Sequence, residues 1–177
     1  VTVPLDRGRW AAASAAMQTL TKAAQSSDAT LLSRTSTNTM GLLMRAYAPD
    51  ASFAGDLRSA ADALPGQLAT ADLLLARHLL FQSSAMAWAA AYTGDVALAR
   101  ELVGLAEGHP LMEAYPANAA MQQLALAEMD LASGNAAAAI DRLAPAVAGH
   151  EGLYFTRAVL MRAYGAEGKL KEARELA

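Results

Sequence analysis

The sequence has no cysteine, which excludes disulfides, thiol nucleophiles and cysteine zinc sites without fixing a compartment. Aromatic residues make up only 6% of it. The β-branched residues are scattered and never alternate with polar ones over a useful length, so strands are not expected. There is no basic surplus: 14 lysines and arginines against 17 acidic residues leave a formal charge of −3. With no basic face to offset phosphate repulsion, nucleic acid is not the expected partner of this segment. An unbroken apolar run is missing too. The longest apolar stretch, residues 71–92, is interrupted by Asp72, Arg77, His78 and Gln82, which suits a buried helix and not a membrane span. No signal-like segment follows Val1, and both ends read as edges of a longer piece. A cytoplasmic location is the expectation, or a periplasmic one if a longer parent is exported or membrane-anchored.

What is present is alanine, about a quarter of the 177 residues, within a 54% hydrophobic composition. Alanine at that level favours helix and lets helices approach closely, and the expected class is all-α. It is also a compositional hint of a bacterial source. Helix breakers divide the chain. Residues 8–25 form one expected helix, closed by Ser26, Ser27 and Asp28, with Asp28 as cap of a second reaching Tyr47 before Pro49. The polar, β-branched stretch 33–39 leaves room there for a kink or loop. Phe53, Leu57, Ala60, Ala61 and Leu64 make a helical stripe expected to stop at Pro65-Gly66. A long helix over about 67–92 is broken by Gly94, and Asp95 suits the N-cap of the next, which ends at Gly108-His109-Pro110. Pro116 suits the first turn of a helix running to Ser133. Gly134-Asn135 then turns the chain into residues 136–149, where Pro145 should kink or shorten the helix. Residues 151–166, Gly168 and residues 169–177 run through the same pattern again.

The three turn glycines expose a repeat. Five residues after Gly94, Gly134 and Gly168 stand Ala99, Ala139 and Ala173; twelve after the first two stand Ala106 and Ala146. Eight residues before the glycines stand Met86, Leu126 and Leu160, and nine after the first two stand Val103 and Leu143. Glycine supplies a tight turn between antiparallel helices, and a small residue beyond it lets them cross closely. Gly8 (with Ala13 and Met17) and Gly55 (with Ala60 and Leu64) read as two earlier, more degenerate copies.

The pattern resembles the tetratricopeptide repeat family in its irregular bacterial form, most clearly over residues 78–177. The best unit is residues 153–177, with Tyr164, Gly168 and Ala173 where that family expects them. Ser83, Gln123 and Arg157 replace its large residue near the helix start. Its usual tyrosine is Ala90 and Asp130 in the first two units, and its small contact residue is Met161 in the last. The resemblance implies antiparallel helix pairs stacked as a right-handed α-solenoid. Residues 1–66 would be degenerate N-terminal repeats and 67–177 better-formed ones, in one continuous array expected to be a fragment of a longer protein.

Chemistry-bearing constellations are missing. His78, His109 and His150 are far apart and lack a helical i,i+4 partner, so loop capping or a hydrogen-bonded core position is expected of them and no metal site. No glycine-rich phosphate loop or nucleophile elbow exists. No catalytic residue and no cofactor are assigned, and an enzyme is not expected.

What the resemblance does imply is a concave inner face, carried by residues two, three, six, ten and thirteen positions before each turn glycine. Before Gly94 these include Tyr92, Trp88 and Phe81; before Gly134, Glu128, Leu124 and Met121; before Gly168, Arg162 and Phe155. Two readings of this set stand open: an aromatic stripe packed as core against neighbouring helices, or a partner-binding groove. Glu128 and Arg162 are the harder pair to bury, although a mutual ion pair would also account for them. The function expected is a non-catalytic scaffold that binds a protein or peptide segment. The alternative is a regulatory, sensory or oligomerisation region of a larger bacterial signalling protein or transcription regulator, with self-association possible.

Overall fold

The computed structural model describes residues 10–26, 30–149 and 153–176. Within them lie ten helices and no strand. In chain order these are α1 (Trp10–Ala24), α2 (Leu31–Ala46), α3 (Phe53–Thr70), α4 (Leu73–Tyr92) and α5 (Val96–Ala106). There follow α6 (Pro110–Ala114), α7 (Pro116–Ala132), α8 (Ala136–Ala148), α9 (Tyr154–Ala166) and α10 (Leu170–Leu176).

Side-chain caps define five of the ten starts. Asp72, Asp95 and Asn135 accept the backbone N–H three residues on, at 2.8, 3.0 and 3.3 Å. Thr30 caps α2 in the same way at 3.1 Å, while Asp28, the cap expected for it, lies outside the described residues. Three helix ends share one geometry. Gly94, Gly134 and Gly168 take φ of 94°, 77° and 72°, and the residue after each donates to the carbonyl five residues back at 2.8 Å. That is a Schellman turn, and its left-handed position is open to glycine without strain.

Three local expectations are corrected. Pro65 does not end α3, which runs to Thr70. Leu64 beside it is fully buried and Leu68 one turn on also packs on the core, so tertiary contacts hold the helix past the missing N–H. The break comes instead at Ala71-Asp72. Pro145 also lies inside its helix, α8, three residues before its end. The polar stretch 33–39 is continuous helix, and within it Thr35, Ser36 and Thr39 donate their hydroxyl protons to carbonyls four residues back at 2.8 to 2.9 Å. Gly55 stands inside α3 and makes no turn, and Gly8 is outside the described residues.

The helices joined by these turns, α4/α5, α7/α8 and α9/α10, pack on each other and are therefore antiparallel pairs. The first helices also touch in succession: α2 on α4, α4 on α7, α7 on α9. Each second helix reaches the following first helix: α3 on α4, α5 on α7, α8 on α9. The small crossing residues Ala99, Ala106 and Ala139 are fully buried, as are Met86, Leu160 and Leu143 at the large positions. The longer spacing between Gly94 and Gly134 accommodates α6, whose N-cap is His109, accepting from Leu111 N–H at 3.2 Å. Helix α4 is central. Apart from half-buried Phe81, every residue from Leu79 to Ala91 is buried, since α2, α3, α5, α6 and α7 surround it. A helix buried on all sides has no polar face, which is why its sequence shows little periodicity.

Candidate functional site

Five of the residues before the turn glycines, Trp88, Tyr92, Glu128, Phe155 and Arg162, meet where α7 packs between α4 and α9. Arg162 of α9 donates through two nitrogens to both carboxylate oxygens of Glu128 on α7, at 2.8 and 2.9 Å. Glu128 is 1% exposed, whereas the Arg162 side chain is 43% exposed. A bidentate pair in which one partner keeps water contact escapes much of the desolvation cost of a fully buried ion pair. The guanidinium also lies 4.8 Å above the ring of Tyr92 on α4, a cation–π contact.

Around this pair is an aromatic assembly. Trp88 stacks on Tyr92 at 5.2 Å and meets Phe155 at 5.9 Å. Tyr47, at the C-terminal cap of α2, lies 5.5 Å from Trp88 and 5.2 Å from Tyr92. The contact from Trp88 on α4 to Phe155 on α9 passes across the helix between them.

That geometry divides the eight candidate residues. Trp88, Met121 and Leu124 are buried in the core at 2%, 1% and 0% exposure. For these three the core reading holds, and an open groove surface is corrected. Glu128 is buried too, held by Arg162, so the mutual ion pair is the observed arrangement. Phe81, Tyr92 and Phe155 are half-buried and Arg162 is exposed. Tyr47, 39% exposed, is the surface aromatic that sequence reasoning missed. The repeat pattern rests on turn glycines, and α2 ends without one.

Elsewhere, His78 and His109 make structural hydrogen bonds. His78 Nε2 is 3.1 Å from the Ser36 hydroxyl, joining α4 to α2. Burial and the neighbouring Arg77 push its pKa below the ordinary value. His150 lies outside the described residues. Among the described residues no group of three or more His, Asp or Glu is placed to hold a metal ion, and no helix is long and apolar enough to cross a membrane. Compared with protein-family models, curated proteins and solved structures, the chain finds no match in any of the three.

Proposed function

We propose that this chain is a non-catalytic interaction scaffold, a tetratricopeptide-like array of helix pairs that binds an extended or helical segment of a protein partner on the face carrying Tyr47, Tyr92, Phe155 and Arg162. The observation that carries the reading is the Glu128–Arg162 pair. Each residue stands six positions before its turn glycine, and they bond directly, as equivalent positions do when successive helix pairs stack in parallel. The identical turns before α5, α8 and α10 support the same arrangement. On this reading the partner is recognised by shape and by aromatic anchors, with no chemical step. Tyrosine and arginine at half-exposed positions are the side chains that anchor interfaces most strongly, at roughly 2 kcal/mol for a good anchor.

The test is a peptide-display selection against the folded chain, followed by titration of the selected peptides. Tyr92→Ala and Tyr47→Ala should each weaken binding about tenfold, equivalent to ~1.4 kcal/mol. Arg58→Ala, whose guanidinium pairs with Glu101 across α3 and α5, should not change it. Selected peptides that bind all variants alike would remove the proposal, and so would a selection that enriches none.

A further inference from the structure

Helix α1 packs on α2 but leaves a cleft of about 780 Å³ bounded by α1, α2 and α3. The volume is that of small-molecule sites. Its composition is unlike a failed helix contact. Met17, Leu42 and Met44 contribute apolar lining, all three buried, while Gln18, Lys22 and Asn38 contribute polar groups. Among the described residues Lys22 has no ion-pair partner. Gly41, in the middle of α2, also lines the cleft. A Cβ there would meet only the Met17 methyl, at an ordinary 3.7 Å. Packing does not demand glycine at a position where it weakens the helix; the open space beside it is what glycine preserves.

Charge narrows the ligand. Arg45 at the α3 side is matched by Asp50 and Asp56 at 2.8 Å each, so its charge is already satisfied. Its Nε, however, is buried without a partner and is a donor in need of an acceptor. Asp56 also lines the cleft and repels a second negative group. Among the described residues, the lining charge without an ion-pair partner is Lys22.

We infer that this cleft binds a small organic monoanion with an apolar body, its carboxylate on Lys22 and its chain against Met17, Leu42 and Met44. This site is separate from the Tyr92–Arg162 face, and either can fail without the other.

Octanoate is the probe, with octanol as its uncharged counterpart, titrated by calorimetry against the full chain. Octanoate should bind saturably at one site and octanol at least about tenfold more weakly, the contribution of one charge-assisted contact. Lys22→Gln should weaken octanoate about tenfold, and Gly41→Leu, which fills the cleft, should abolish it. Methyl-labelled methionine spectra give a readout that needs no variant: the Met17 and Met44 methyls should shift on adding octanoate while Met86 and Met121, buried elsewhere, stay. No heat and no methionine shift up to millimolar octanoate overturns the proposal. So does binding that is indifferent to Lys22→Gln, or shifts confined to Met86 and Met121.

Discussion

Glu128 and Arg162 occupy the same position in two successive helix pairs and are joined by two bonds of 2.8 and 2.9 Å, one residue buried and the other half in water. That asymmetry makes their substitutions unequal. Arg162→Met strands a buried carboxylate and should cost about 2–3 kcal/mol, somewhat less than breaking a fully buried pair. Glu128→Gln leaves an amide in the same space and frees Arg162 to turn into solvent, so about 1 kcal/mol is expected. The double variant should recover most of the Arg162→Met loss. Urea denaturation of the three variants measures this, and a Glu128→Gln loss equal to or larger than that of Arg162→Met contradicts the reading.

Trp88 supplies the mass of the aromatic assembly, and its indole N–H is buried without a hydrogen-bond partner. Trp88→Ala should therefore cost about 3–5 kcal/mol through the cavity it leaves. Trp88→Phe forfeits volume but no hydrogen bond, and about 1–2 kcal/mol is expected. Chemical denaturation separates the two, and equal losses would show that the N–H does have a partner after all.

The helical class and the late turns were legible because they rest on local chemistry. Gly94, Gly134 and Gly168 each sit at a left-handed position that glycine alone reaches cheaply, and Asp95 and Asn135 follow them as caps. The course of α3 was not legible, because Pro65 is a local signal overruled by the burial of Leu64 and the packing of Leu68. Yet Asp72 before an apolar run was a readable cap for α4. Ser83 stood out only as a departure from a large residue. In the structure its hydroxyl donates to the Leu102 carbonyl at 2.6 Å, a buried bond between α4 and α5. The candidate face was half legible: spacing before the glycines found Tyr92 and Arg162. It could not tell that Trp88 of α4 and Phe155 of α9 meet, because that depends on how the helices are disposed in space.

The turn glycines and the helical glycines should respond in opposite directions. Gly94→Ala and Gly134→Ala force a side chain into a positive φ and should each cost about 1–2 kcal/mol. Gly104 lies in α5 with open space around its missing Cβ, so Gly104→Ala should gain about 0.5–1 kcal/mol. Thermal melting of the three variants decides it; a destabilised Gly104→Ala refutes the account of α5 as plain, outward-facing helix at that position.

The last expectation concerns pH. His78 is half-buried between α2 and α4, beside Arg77 and bonded to Ser36, and its folded pKa lies below the ordinary value of about 6.5. A histidine with a depressed folded pKa binds its proton more readily in the unfolded chain. Its contribution to stability is therefore full above about pH 6.5 and falls as pH drops toward and through the folded value. Asp50 and Asp56, held below the ordinary carboxylate range by Arg45, respond only below about pH 4. The interval between pH 7.5 and 5 is thus separated from theirs. The wild-type melting temperature should fall across it, and His78→Gln should flatten that fall while keeping a group able to bond Ser36. An equally steep fall in His78→Gln would assign the dependence to another group.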